Sequence, residues 1–124
     1  MIRELVIVDR VSRESKGNAN SKMLQLDERS NGSEIKLASS DILEICLSEN
    51  RTTGYRWLLE SSGEVCVLLS DSFKPGHATG EPGEHCWKFR AERAGSGAIE
   101  LSYRRTWSGE KAAAGAFTIT LEVS

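Results

Sequence analysis

The sequence predicts an all-β sandwich, and three observations carry that prediction. Short segments alternate apolar and polar residues, the period of a strand with one face in a core. Clusters of Gly, Asn, Ser and Pro separate those segments and supply turn chemistry. No stretch of convincing length repeats its apolar residues at helical spacing. Six to eight short strands with turns between them fit two sheets packed face to face.

Taken in order, Leu5-Val6-Ile7-Val8 is a short β-prone run, read as an extra edge strand. The stretch from Asp9 to Lys22 is polar and mixed in charge, so residues 1–22 read as an N-terminal extension and 23–124 as the domain. Met23 to Asp27 is the first strand of that domain, Ser30-Asn31-Gly32-Ser33 a turn, and Glu34 to Leu37 a half-buried strand. In Ile42 to Leu47, alternation sends Leu43, Ile45 and Leu47 to the core and Ile42, Glu44 and Cys46 to the other face. Beyond Asn50-Arg51-Thr52-Thr53-Gly54, residues Tyr55, Trp57 and Leu59 share a face, with Trp57 expected in the core between the sheets. Ser61 to Glu64 turns the chain into Val65 to Leu69. Ser70 to Glu84 shows no period and holds both prolines, and so long an irregular segment is more often functional than filler. His85 to Glu92 is a strand with Trp87, Phe89 and Ala91 on one face, followed by a tight turn over Arg93 to Gly97. Ala98 to Tyr103 directs Ile99, Leu101 and Tyr103 inward, Ser108 to Gly115 is small and polar, and Phe117 to Val123 alternates strictly.

Composition narrows the function. A chain of 124 residues suits one domain, and 39% hydrophobic with 27% charged residues suits a soluble core rather than a disordered tail. A net charge of −2 gives no electrostatic reason to bind nucleic acid or an anionic membrane. No segment approaches the roughly 18 apolar residues of a membrane span. The apolar run near the N-terminus is short and flanked by acidic residues, unlike a signal peptide. The three cysteines, Cys46, Cys66 and Cys86, fall in three different strands, and an odd count cannot pair fully within one chain. The expectation is three reduced thiols in a reducing, cytoplasmic setting, with a secreted or periplasmic origin open if a signal has been removed.

Reactive chemistry is not indicated. There is no Cys-x-x-Cys spacing and no His pair for a metal. His85 adjoins Cys86, but neighbours on a strand point to opposite faces, which argues against a cysteine nucleophile with a histidine base. Gly76, Gly80 and Gly83 lack the following helix and the Gly-Lys-Ser/Thr signature of a phosphate cradle. The reading is therefore no catalytic residue, no metal and no cofactor.

Three loops remain. Asn50-Arg51-Thr52-Thr53-Gly54-Tyr55 joins two strands, Gly80-Glu81-Pro82-Gly83 lies ahead of Trp87, and Arg105-Thr106-Trp107 follows a strand end. In this order they resemble the chagasin family of inhibitors of papain-like cysteine proteases, whose loops carry patterns like Asn-Pro-Thr-Thr-Gly-aromatic, a glycine-rich run with a following aromatic, and Arg-Pro-Trp. The resemblance runs from about Met23 onward. It implies an immunoglobulin-like β-sandwich with three binding loops at one end, acting as a reversible, tight-binding inhibitor that is not an enzyme. It implies that Thr52-Thr53-Gly54 enters the active-site cleft while Trp107 and the outer loops anchor the rim, that the partners are papain-like proteases of the cathepsin L type, and that the inhibitor is a monomer.

Three positions depart from the pattern. Arg51 and Thr106 stand where the family has proline, and Pro82 stands where it has glycine. Losing a compatible proline costs about 0.4–1 kcal/mol through chain entropy. The departures keep open an alternative, an immunoglobulin-like module showing the same loops to a non-protease protein or a glycan. Asn50-Arg51-Thr52 also fits the N-glycosylation pattern, and a glycan there would block the wedge.

Overall fold

The computed structural model describes residues 22–78, 80–105 and 114–124. The run Leu5–Val8, the linker after it, and Thr106 and Trp107 lie outside the described residues. Eight strands are described: β1 (Met23–Leu26), β2 (Glu34–Leu37), β3 (Ile42–Glu49), β4 (Tyr55–Ser61), β5 (Cys66–Lys74), β6 (Gly83–Ala91), β7 (Gly95–Arg105) and β8 (Gly115–Val123). They form two four-stranded sheets, in the orders β1-β3-β6-β5 and β2-β8-β7-β4. The pairs β1–β3 and β2–β8 are parallel, and all others are antiparallel. This is the expected sandwich, with β1 and β5 at the edges of one sheet and β2 and β4 at the edges of the other.

Alternation builds the core. Leu43, Ile45 and Leu47 on β3 lie beside Trp87, Phe89 and Ala91 on β6, and together with Ile99, Leu101, Phe117, Ile119, Leu121 and Val123 of the other sheet they make one core, all buried. At about 1.5–3 kcal/mol for each large apolar side chain removed from water, this layer dominates the stability. The turn before β3 is tied by Asp41, fully buried, whose carboxylate accepts the backbone N–H groups of Lys22 (2.9 Å) and Ala38 (2.8 Å).

The structure corrects three expectations. First, the segment from Ser70 is not irregular throughout, since β5 runs on to Lys74 and β6 begins at Gly83. As an edge strand, β5 is exposed at nearly every position, so it carries no period-two signal. Second, Trp57 is only partly buried and packs against the rim of the core, while Trp87 takes the interior place. The Trp57 indole N–H donates to the Ser48 carbonyl at 3.0 Å, which holds the ring at the sandwich end. Third, the cysteines are not three free thiols.

Cys46 and Cys86 stand directly opposite each other on β3 and β6 and form a disulfide. The register of two strands 40 residues apart in sequence decides this pairing, and spacing along the chain does not reveal it. With it goes the basis for reading a reducing compartment from the cysteine count. Cys66 is the free cysteine. Burial pushes its thiol up to about 11, and its Sγ donates to the Ser62 carbonyl. A thiol so poor in thiolate is a poor nucleophile at neutral pH. Without reductant, a thiol reagent should therefore label none of the folded protein quickly and one cysteine per chain once it is denatured. Rapid labelling of the folded protein would contradict this.

Candidate binding site

The first loop crosses from one sheet to the other, from the end of β3 to the start of β4. Its sequence folds it tightly. Asn50 is extended, and its side chain caps a 3-10 turn over Arg51–Thr53, accepting from the Thr52 N–H (3.1 Å) and the Thr52 hydroxyl (2.6 Å). Gly54 ends the turn in the left-handed region at φ 88°, where any other L residue is strained by roughly 1–2 kcal/mol. The Thr53 hydroxyl donates to the Asn50 carbonyl at 2.7 Å and accepts from the Tyr55 N–H at 3.3 Å. Thr52 and Thr53 are exposed at the tip.

The second loop lies beside the first. The Asn50 Nδ2 donates to the Gly80 carbonyl at 3.4 Å, so one side chain shapes its own loop and touches the next. Gly80 has φ 87° and open space where a Cβ would stand. Glu81 turns back on its own loop, where its Oε1 accepts the backbone N–H groups of His77 (2.8 Å) and Ala78 (3.0 Å). Pro82 is exposed. Gly83 is the first residue of β6, paired with Glu49, and a Cβ there would lie 2.3 Å from the Lys74 carbonyl, so close packing explains the glycine.

The flanks of the third loop reach the same end. Arg105 pairs with Tyr55 across β7 and β4, and its guanidinium carbon lies 4.7 Å from the centre of the Tyr55 ring. Tyr103 stacks on Tyr55 at 5.3 Å, and its hydroxyl accepts the Asn50 N–H at 3.4 Å. Asn50 to Tyr55, Gly80 to Gly83 and Arg105 are thus brought together, with Tyr55 and Arg105 serving the base of the site.

Sequence reasoning missed what lies beneath the first loop. Arg51 folds back onto the scaffold. Its Nε donates to the Glu49 Oε2 at 2.5 Å, and its guanidinium carbon stands 3.9 Å from the centre of the Phe73 ring. The Glu49 side chain is fully buried, and its Oε1 also accepts the Trp57 N–H (2.8 Å) and faces the His85 Nδ1 (2.8 Å). Burial alone would raise the Glu49 pKa, but the Trp57 N–H, Arg51 and His85 outweigh it and hold the carboxyl below its ordinary value. The signal was present in the sequence. Glu49 continues the inward series Leu43, Ile45, Leu47, and His85 begins the inward series Trp87, Phe89, Ala91. A charged residue in a core-facing position needs partners.

An immunoglobulin-like sandwich that gathers inter-strand loops at one end is an architecture suited to recognising another macromolecule. Residues 36–121 match the model described as Chagasin family peptidase inhibitor I42. The chain belongs to the chagasin family, whose members are peptidase inhibitors and not enzymes. It is similar to Amoebiasin-1 of Entamoeba histolytica, at 33% identity over 88 residues covering 68% of this chain and 85% of that one. Its fold is similar to that of the cysteine protease inhibitor EhICP2 from the same organism, with a TM-score of 0.75 at 22% identity, covering 84% of this chain and 96% of the other. A structure of PbICP-C in complex with falcipain-2 is similar in fold at a TM-score of 0.55 and 21% identity, covering 82% and 97%.

Proposed function

We propose that this protein is a reversible, tight-binding inhibitor of papain-like cysteine proteases of the cathepsin L type, occluding the active-site cleft with three loops. One observation carries the reading: Thr52 and Thr53 stand exposed on a turn whose shape is fixed by the Asn50 cap and the left-handed Gly54. A pre-ordered tip of small side chains enters a narrow groove at little entropic cost. Thr52, Thr53 and Gly54 make the wedge. Gly80 and Pro82 form the neighbouring rim, and Trp107, with Thr106, supplies the anchor. Asn50, Tyr55, Glu81, Gly83, Arg51 and Arg105 serve by holding the loops. Family membership and a structural relative named as a cysteine protease inhibitor support this reading over a module for some other protein or a glycan.

Titrating papain and a cathepsin L-type protease with the purified protein tests it. The expected result is reversible, stoichiometric inhibition with the added protein left uncleaved. No inhibition at micromolar concentration by folded protein would overturn the reading. Within it, Trp107→Ala should weaken binding by more than about 1 kcal/mol, roughly fivefold in the inhibition constant. A much smaller loss would take Trp107 out of the interface.

A further inference from the structure

We propose that the side-chain chain Arg51–Glu49–His85–Asp71, buried at Glu49 and His85 and open to solvent at its two ends, is the positioning device of the first loop, fixing the wedge by tethers where a proline at position 51 would fix it by its ring. The inference rests on the inhibitory reading above and deepens it.

The geometry ties the loop to three strands. Through Glu49 it reaches β4, by the Trp57 N–H, and β6, by His85. Through His85 it reaches β5, where the Nε2 faces the Asp71 Oδ1 at 2.5 Å. Arg51 meets β5 a second time over the Phe73 ring. His85 is itself clamped, with its ring stacked on Trp87 at 4.0 Å and meeting the Phe73 edge at 6.2 Å. Trp87 is part of the buried core, so the tether rests on the core through the His85 ring.

Burial makes the arrangement selective for one geometry. A fully buried carboxylate is costly unless its oxygens are satisfied, and Glu49 is satisfied only when Arg51, Trp57 and His85 are all in place. Displacing Arg51 leaves one of its oxygens without that donor, so the loop conformation that puts Arg51 on Glu49 is favoured over others. None of these groups belongs to the exposed tip, so Glu49 and His85 act on the wedge through its base.

The backbone at this position also accepts the substitution that tests the idea. Residue 51 is the first residue of the 3-10 turn, a position that suits proline, and Asn50 before it is extended at φ −103° and ψ 97°, outside the α region that a following proline disfavours. Arg51→Pro would restore a covalent lock without using the tether.

Glu49→Gln should raise the papain inhibition constant about tenfold in folded protein, because a loosened loop must be ordered on contact. In the Glu49→Gln background, Arg51→Pro should recover most of that loss. Amide exchange of Thr53 and Gly54, whose N–H groups donate to the Asn50 and Arg51 carbonyls, should quicken in Glu49→Gln and slow again in the double variant. A folded Glu49→Gln with unchanged inhibition and exchange would overturn the proposal, as would a double variant no better than the single. If Glu49→Gln does not fold, Phe73→Leu removes the stacking partner of Arg51, with about threefold weaker inhibition and quicker exchange expected. An unchanged Phe73→Leu would then overturn the proposal. If the unaltered protein does not inhibit papain, the inhibitory reading fails, and the exchange measurement decides the tether by itself.

Discussion

Thr53→Arg is expected to weaken inhibition of papain at least about 30-fold, the loss typical of a central interface residue. The side chain it replaces is exposed at the tip of the first loop, where a long cation would have to enter a groove suited to small groups. The fold should survive. The change removes an exposed hydroxyl that donates to the Asn50 carbonyl and accepts from the Tyr55 N–H, each bond contributing about 0.5–1.5 kcal/mol, so thermal unfolding should fall by several degrees without loss of the fold. Thr53→Ser, which keeps the hydroxyl, should stay close to the parent in both respects. A folded Thr53→Arg that inhibits as well as the parent would remove the wedge from the mechanism. The arginine two residues earlier causes no such obstruction, because it is turned onto Glu49 and Phe73 and away from the tip.

Opening the Cys46–Cys86 disulfide is expected to lower the unfolding free energy by about 2–4 kcal/mol. The bond closes a 40-residue stretch of chain, and the restriction it places on the unfolded ensemble is worth several kcal/mol in the chain-entropy account. Denaturant unfolding of a Cys46→Ser/Cys86→Ser variant beside the parent measures this. The difference should nearly vanish when the parent is unfolded in the presence of a reducing dithiol. A variant as stable as the oxidised parent would show that the bond does not contribute. Inhibition assays on thiol proteases are run with reductant to keep the target's cysteine active, so the oxidation state of the inhibitor should be measured in the assay buffer.

The sequence was most readable where one face of a strand meets the core. The parity of Leu43, Ile45 and Leu47, and of Phe117, Ile119, Leu121 and Val123, predicted the buried faces of β3 and β8 directly, because a half-buried strand must alternate. The second half of β5, from Ser70 to Lys74, escaped because an exposed edge strand imposes no such pattern, and even the apolar Val67, Leu68 and Leu69 of its first half stand partly open to solvent. Of the two tryptophans that could fill the interior, the chain chose Trp87, a choice set by which strand lies in mid-sheet and not by local composition. The loop motif at Asn50 was visible as turn chemistry, whereas its bond to Gly80 depends on residues brought together only by the fold. The disulfide and the Glu49 tether were hidden for that same reason, although the inward position of Glu49 could have been inferred from parity alone.

The strand order sets when this molecule can be completed during synthesis. In the sheet β2-β8-β7-β4, the last described strand to be made lies between β2 and β7, and Glu34 of β2 pairs with Thr120 of β8. β2 therefore has no partner in its own sheet until nearly all of the described chain has been synthesised. A nascent chain that ends before β8 leaves β2 unpaired and one edge of β7 open. Pairings over such sequence distances are slow to form, since loop closure precedes any gain from contact. Completion of this sheet thus waits for the last described strand, and a truncation within Phe117–Val123 removes an interior strand rather than trimming a tail.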